Sequence, residues 1–581
     1  MNILGINTGS GASICLFEGD QIKLAIEEER LARIKGKGGF PTHSLDYVRT
    51  HHREILENID YIAICDLVDG IAEKDELVRR YDRRFKGEQA PSTTFGKLKS
   101  IISPIVPEAI KALLRKPKPE INLQKMVQEH YSEFDIPDEK FVRLNHHDCH
   151  AAAAYYGLAQ NRDKPYLLMT LDGGGDSECG SISIGNNGKM ERVISIPAGN
   201  SIGNIYSNIT YILGLTPHEH EYKIMGLEPY VPEKYRKQAL ETISSYLSLS
   251  ENGKGISFER TTEKNTNWIG TQLADDLKYM RFDSIAAGLQ EFTETIILQW
   301  VRNAIEITGI SDILLSGGVF MNVKVNKLIS EMPEVTSVNV FPSCGDESNA
   351  VGIVFHTYAN KNGGKMPVFD SYTLGPTPGY DLETAKLKYT DQCNFVTMDS
   401  PAKTIAKLLA DGKVVARCNG PMEIGARALG NRSLLADPSN ADVVERINFV
   451  IKQRDFWMPF APAMLAEDAS EYIEIPASVP ADISPYMMFA FETTDRRSEL
   501  AAALHRADKT ARAQIVSKER YPGFHDIISE FKSITGRSVV LNTSYNLHGH
   551  PIVMGTCEAV DILLQTELEY LAVDDQLITK R

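Results

Sequence analysis

Apolar and polar positions along the first thirty residues fall into a short repeating order. "NILGIN" (2–7) alternates into a small-residue turn, "TGSGAS", and a second apolar run, "ICLFEGD", follows it. A turn at Glu18–Asp20 then leads into "QIKLAIEEER". This order predicts strand, tight polar turn, strand, turn, strand. The same order returns at 166–196, where "YLLMTLDGGGDSE" is a strand running into glycines. "CGSISIG" is a second strand, "NNGK" a turn and "MERVISIP" a third strand. Self-similarity on this scale predicts two related units. Glycine-rich turns leave backbone N–H groups open to an anion, because no side chain blocks close approach.

Two further segments extend the pattern. "DILLSGGVFMNVKVNKLI" (312–329) reads as a strand, a Gly-Gly break and a helix, and the break suits a nucleotide at a helix start. "VNVFPSCGDESNAVGIVFHTYA" (338–359) reads as strand, polar turn with Asp346, and helix. Two glycine hairpins followed by a Gly-Gly strand–helix break resemble the actin-like ATPase superfamily of sugar kinases, heat-shock ATPases and threonylcarbamoyl transferases.

The alanine-rich stretch "NHHDCHAAAAYY" (145–156) predicts a helix. His146 and His150 are then one turn apart on one face, with His147 directed elsewhere and Asp148 and Cys149 off that face. Two imidazoles at this spacing can share one metal ion. An isolated HxxxH is better read as histidines at a solvent-facing helix start. Asp172 in the second hairpin and Asp346 in the later turn supply oxygen ligands if the superfamily architecture holds. Such a mixed nitrogen and oxygen set suits Fe, Mn or Zn better than Mg.

Composition narrows the class. With 581 residues, the chain exceeds one compact core and predicts two or three domains. A formal net charge of −15 argues against a nucleic-acid coat or a polybasic membrane anchor. No apolar run has the length of a membrane span, and the N-terminus lacks a signal-peptide pattern. The eight cysteines are scattered without a CxxC pair, which fits a reduced, cytoplasmic chain. The Gly-, Pro- and Asn-rich stretch 361–382 predicts a linker, so we divide the chain at 365/366. The charged stretch 70–130 reads as an inserted helical segment.

A set of motifs makes the resemblance more specific. They are "EEERLARIKGKGGFP" (27–41), "NHHDCHAAAAYY", "LDGGGD" (171–176), "EYKIMGLEPY" (221–230), "SGGVFMN" (316–322) and "SCGDESNAVG" (343–352). Farther on come "MEIGARALGNRSLLADP" (422–438), "MPFAPAML" (458–465), "DKTARAQIV" (508–516) and "VVLNTSYNLHGHPIV" (539–553). Together these resemble the O-carbamoyltransferases related to the nodulation-factor, tobramycin and cephamycin enzymes. The resemblance implies an α/β chain with an N-terminal actin-like ATPase domain of two RNase H-like halves (1–365) and a C-terminal YrdC-like domain (366–581). It implies metal ligands at His146, His150, Asp172 and Asp346, with iron favoured over Mn or Zn. It places Gly173, Gly174, Lys223, Gly226, Gly317, Gly318 and Asn322 at the nucleotide and Lys35 at the acceptor.

Carbamoyl phosphate and ATP are polyanions, and guanidinium matches phosphate through its bidentate fork. Arg427, Arg432, Lys452, Arg454 and Arg512 are the candidate cations, and Asn542, Ser544 and Asn546 form a short polar turn after a β-branched strand. The family resemblance implies that the C-terminal domain makes carbamoyl-adenylate from carbamoyl phosphate and Mg-ATP, with Arg512 essential to that step. The N-terminal domain then passes the carbamoyl group to a sugar hydroxyl. Homodimerisation is left open. Four departures stand out: Ser10-Gly11 occupy the positions of a family His-Asp, Ala426 that of a proline, "FWMPFAP" replaces "FRPFAP", and His550 stands where an acidic residue is frequent. Asp176 is the candidate substitute for the missing acceptor-activating base. A threonylcarbamoyl-adenosine tRNA enzyme, a sugar kinase and an inactive nucleotide-binding relative are the rival readings. The acidic chain, the "RALGNRS" and "MPFAP" motifs and the second domain weigh against the first two.

Overall fold

The structure is a computed structural model, and it describes residues 1–68, 74–85, 122–252, 254–369, 371–452, 454–480 and 486–581. The two glycine hairpins open two sheets. The first sheet contains β1 (Ile3–Asn7), β2 (Ser13–Glu18), β3 (Gln21–Glu27), β4 (Tyr61–Cys65) and β5 (Phe141–Leu144). The second contains β6 (Tyr166–Gly175), β7 (Glu178–Asn186) and β8 (Lys189–Pro197). A small hairpin, β9 (Leu247–Leu249) and β10 (Phe258–Arg260), precedes its last two strands, β11 (Asp312–Ser316) and β12 (Ser337–Val340).

The strand orders are β3-β2-β1-β4-β5 and β8-β7-β6-β11-β12. In both, an antiparallel meander of three strands is extended by two parallel strands. These are the two related units that the repeated pattern predicted. Parallel strands need a crossover covering the sheet. In the first sheet the chain reaches β4 through the helices Thr42–His51 and Arg53–Glu57. The helix Asn349–Lys361, which follows β12 and has nine buried residues, packs across β1, β2 and β4.

The helix His146–Leu158 lies between that helix and the second sheet. Ala151, Ala152, Ala153 and Ala154 are all buried, and their small side chains let the neighbouring backbones approach. The approach is closest at Gly352, where a Cβ would lie 2.0 Å from the Cys149 carbonyl oxygen. Gly352→Ala is therefore expected to cost about 1–3 kcal/mol by overpacking, read as a lower thermal midpoint.

The C-terminal part is built on an eight-stranded mixed sheet. Its strands are β13 (Cys393–Thr397), β14 (Val415–Cys418), β15 (Arg432–Ala436), β16 (Ala461–Leu465), β19 (Gln514–Val516), β20 (Val539–Ser544), β21 (Tyr570–Val573) and β22 (Gln576–Lys580). The short pair β17 (Ile473–Glu474) and β18 (Glu492–Thr493) stands apart. The sheet order is β13-β22-β21-β14-β15-β20-β16-β19. One face has its own core around Leu434, Leu541, Leu563 and Ile578. The β16–β19 side joins the core of the N-terminal part.

The expected linker is packed along part of its length. The Leu374 carbonyl accepts the Ala25 N–H of β3 at 3.0 Å, Thr373 bridges Glu423, and Tyr372 is buried. Its glycines and prolines mask one buried aromatic anchor. Of the expected inserted segment, Lys74–Phe85 and Leu123–His130 are helices, and 69–73 and 86–121 lie outside the described residues.

Candidate active site

His146 and His150 occupy the first turns of their helix because Asn145 caps it, accepting from the His147 and Asp148 N–H groups. Asp172 lies three residues before the end of β6, and Asp346 opens the short 3-10 turn Asp346–Ser348 after β12. His146 Nε2 lies 2.9 Å from Asp172 Oδ2 and 3.5 Å from Asp346 Oδ1. His150 Nε2 lies 3.2 and 3.6 Å from the same two oxygens. One potential ligand atom from each residue falls within 4.8 Å of all the others.

The outer contacts orient these ligands. Asp66 Oδ1 sits 2.8 Å from His146 Nδ1, and Ser316 Oγ sits 3.3 Å from His150 Nδ1. A proton held at Nδ1 leaves each Nε2 lone pair facing the carboxylates. Asp66 itself has φ +72 at the end of β4, and its carbonyl accepts from Arg143 Nε at 2.7 Å. Asp66→Asn is expected to weaken metal binding about 10–100-fold, read by chelator competition on the intact protein.

His147 differs from expectation. It is buried, its Nδ1 lies 2.9 Å from Thr170 Oγ1, and its Nε2 faces Asp172 Oδ1 at 3.6 Å. Helical phase alone sets it aside, but the Asp172 carboxylate is wide enough to meet three rings, His146 and His150 at Oδ2 and His147 at Oδ1. Burial drives the His147 imidazole down to about 3, so it is neutral. Burial also opposes charge on Asp346, yet hydrogen bonds from His146 and His150 outweigh it and hold the carboxyl at about 2.

The donor set fits a divalent cation. One buried and one half-buried carboxylate face two imidazoles, and Asp172 Oδ1 and His147 Nε2 are buried without hydrogen-bond partners. A cation would satisfy the first of these and neutralise the carboxylates.

Glycine serves close approach around this cluster. A Cβ on Gly175 would strike the His146 ring at 2.2 Å, and one on Gly317 would meet the Leu171 carbonyl oxygen at 2.4 Å, at φ +101. Gly318 faces open space. Ahead of Gly173 the nearest atoms to such a Cβ are Asn204 Oδ1 at 3.7 Å and His218 Cε1 at 4.0 Å, and Gly174 has φ +142.

Several residues placed at the nucleotide or acceptor by resemblance have other partners. Asp176 accepts from the N–H groups of Leu67, Val68 and His146 at 2.9–3.0 Å, so its carboxylate is a backbone tether and no free base. Asn322 caps the helix Val323–Ser330 and pairs both side-chain atoms with Gln290. Lys223 pairs with Asp455 at 2.9 Å, and the Gly226 carbonyl lies 2.8 Å from His505 Nε2. The "EYKIMGLEPY" segment therefore docks onto the C-terminal part. Lys35 pairs with Glu219 at 3.2 Å on the same side.

The C-terminal cations divide into two kinds. Arg432 is fully buried, and its guanidinium donates to the carbonyls of Met554, Asn419, Gly420, Asn431 and Pro376. Its donors are spent on the backbone, which corrects its assignment to phosphate. Arg427, Arg454, Arg512 and Lys452 form the other kind. Arg427 Nε and Arg512 Nε are buried without partners. Burial and the nearby Arg427 push the Arg512 guanidinium down to about 9. Burial pushes Arg454 down to about 10, against Tyr222 and Asp455. Burial, Arg454 and Lys35 push Lys452 well below the lysine range. Uncompensated cations gathered in one place need an anion.

Lys452 Nζ also holds the polar turn, reaching the Ser544 carbonyl at 2.7 Å, Ser544 Oγ at 2.9 Å and Asn546 Oδ1 at 3.2 Å. Asn542 lies deeper, donating to the Ala428 carbonyl and to Gln514 Oε1, with its own Oδ1 unpartnered.

The loop that carries Arg427 leans on the turn that carries Asp346. A Cβ on Gly425 would lie 2.1 Å from Ser343 Oγ, and Arg30 Nη2 donates to the Gly425 carbonyl at 2.6 Å. The cation group and the His/Asp cluster thus share the 343–347 turn.

Comparison with known proteins agrees with this two-part organisation. A family model described as the carbamoyltransferase N-terminus matches residues 2–355, and one described as the carbamoyltransferase C-terminus matches 406–580. Nodulation protein NolNO of Sinorhizobium fredii is 31% identical over 98% of this chain and 79% of that protein. A 3'-hydroxymethylcephem-O-carbamoyltransferase of Amycolatopsis lactamdurans is 31% identical over 42% of this chain and 44% of that protein. Among solved structures, HypF of T. kodakarensis is 13% identical over 62% of this chain and 48% of that one, with a TM-score of 0.32. On the strength of the two family models and the full-length relative, the chain is a member of the carbamoyltransferase family.

Proposed function

We propose that the protein is an ATP-dependent O-carbamoyltransferase that uses carbamoyl phosphate and delivers the carbamoyl group to a sugar hydroxyl. The observation that carries this reading is the pairing of a group of cations, in which Arg427 Nε and Arg512 Nε are buried without partners, with the His/Asp cluster across one shared turn.

The C-terminal part acts in this reading as a YrdC-like, adenylate-forming domain. Water releases carbamate and phosphate from carbamoyl phosphate. A carbamate oxygen then attacks the α-phosphorus of Mg-ATP, the bond to pyrophosphate breaks, and carbamoyl-adenylate forms. Arg512, Arg427 and Arg454 neutralise the phosphates, and Lys452 fixes the 544–546 turn beside them. Their cost in the free protein is repaid only when a polyanion is present.

In the N-terminal part the acceptor oxygen attacks the carbamoyl carbon, the bond to AMP breaks and the hydroxyl proton leaves for solvent. Gly173 and Gly174 leave room for the phosphate to approach the backbone. His146, His150, Asp172 and Asp346 would hold a divalent metal, with iron the first candidate and Mn or Zn next. When bound, it supplies positive charge against the leaving phosphate. Asp66 and Ser316 keep the imidazoles turned toward it.

The reading is tested by incubating the protein with ATP, carbamoyl phosphate and a panel of sugars. AMP, pyrophosphate and a carbamoylated sugar are expected by mass spectrometry. ADP with a phosphorylated sugar would make the protein a kinase instead.

A further inference from the structure

We propose that the aromatic shelf beside Gly173, made by Tyr81, Arg84, Trp268, His218 and Asn204, is the subsite that seats the pyranose ring of the acceptor. The proposal rests on the carbamoyltransfer reading above and adds the place where the acceptor binds.

The shelf starts at the candidate metal cluster. Gly173 follows the ligand Asp172, and the space in front of it is bounded only by Asn204 Oδ1 and His218 Cε1. Asn204 is 4% exposed and turns its Oδ1 toward this space. An amide oxygen at an opening accepts a hydrogen bond from a ligand donor. A sugar hydroxyl supplies that donor.

His218 sits in the left-handed region, with φ +63, an unfavourable conformation for a histidine. Glu221 holds it there by accepting the His218 N–H at 2.7 Å and the Ser207 hydroxyl at 2.8 Å. Strain kept by dedicated partners aims a side chain. The aim is toward Gly173 on one side and Tyr81 on the other, whose hydroxyl lies 3.5 Å from His218 Nε2.

The outer end of the shelf is aromatic. Arg84 lies 5.2 Å from the Tyr81 ring centre and 5.0 Å from the Trp268 ring centre, which fixes the indole by cation–π attraction. Trp268 remains 44% exposed. Tyr81 in turn stacks on Tyr211 at 5.8 Å, and the Tyr211 hydroxyl donates to Asp82 at 2.6 Å. A held, exposed indole with a guanidinium against it presents a flat apolar face beside a polar group. A pyranose has the same division, with C–H groups on its face and hydroxyls around its rim. In this seat one hydroxyl is directed at Asn204 and Gly173, where the carbamoyl carbon must arrive.

Tryptophan fluorescence tests the subsite. The chain has three tryptophans, and Trp300 is fully buried. The probes are the methyl glycosides of glucose, galactose, mannose and N-acetylglucosamine, with sorbitol as an open-chain polyol. At least one glycoside is expected to change the emission saturably, while sorbitol does not. Trp268→Phe should remove most of that change. Trp268→Ala and Arg84→Ala should weaken the same glycoside about tenfold or more by calorimetry, with far-UV circular dichroism unchanged. The proposal is overturned if none of the four glycosides alters Trp268 emission, if sorbitol matches them, or if both alanine variants bind as the unaltered protein does. Pyrophosphate release from ATP and carbamoyl phosphate is followed in parallel. Release without glycoside binding rejects the shelf alone, and glycoside binding without release rejects the donor chemistry alone.

Discussion

His146→Ala is expected to lower acceptor carbamoylation by about 10²–10³-fold while pyrophosphate release from ATP and carbamoyl phosphate stays within a few-fold of the unaltered protein. His146 contributes one of four convergent ligand atoms, and its ring also fills the space in front of Gly175. Its loss removes a ligand, takes the imidazole partner from Asp66 and leaves His150 as the one imidazole between Asp172 and Asp346. No contact of His146 reaches Arg427, Arg454, Arg512 or Lys452 among the described residues. The adenylate-forming half should therefore continue. Metal content of the purified variant, measured by inductively coupled plasma mass spectrometry, should fall with the transfer activity. Equal loss of both half-reactions would mean that the cluster serves the donor step instead.

Arg512→Met is expected to do the reverse, removing about 10²–10³-fold of pyrophosphate release. Methionine keeps much of the buried stem and removes the charge. The variant also has a stability signature. Burial and Arg427 lower the Arg512 guanidinium to about 9 in the folded protein. A base whose folded pKa is lowered destabilises the fold wherever it is charged in both states. That cost is fully present below about pH 9 and fades as pH rises through this value toward the ordinary arginine range. The free Arg512→Met protein should therefore melt higher than the unaltered one at neutral pH. Pyrophosphate should raise the midpoint of the unaltered protein and raise that of Arg512→Met far less. A lower midpoint for Arg512→Met, with an undiminished pyrophosphate response, would remove Arg512 from the anion site.

The doubled sheet was legible because both glycine hairpins carry period-2 apolar strands and obvious turns. Helix phase put His146 and His150 on one face, but their reading as ligands together with Asp172 and Asp346 came from the family resemblance. What escaped was lateral. His147 belongs beside Asp172 through the width of a carboxylate, which no periodicity encodes. Asp66 has a faint signal, an acidic residue just past the β4 strand at the carboxyl end of a parallel pair, where ligands gather. Asn204 and His218 carry none, because their meaning depends on an amide oxygen at an opening and a strained backbone that appear only in the folded chain. Asp176, Asn322 and Arg432 sat in the right motifs but are consumed by capping, side-chain pairing and carbonyl binding. A motif records that a residue matters and leaves open whether it faces a ligand or the backbone.

The product of ATP turnover tests the account most directly. The protein is mixed with ATP labelled at the α-phosphate and with carbamoyl phosphate, and the nucleotide products are separated. The account predicts AMP and pyrophosphate, formed only when carbamoyl phosphate is present and lost in Arg512→Met. ADP as the labelled product, or turnover indifferent to carbamoyl phosphate, would contradict it.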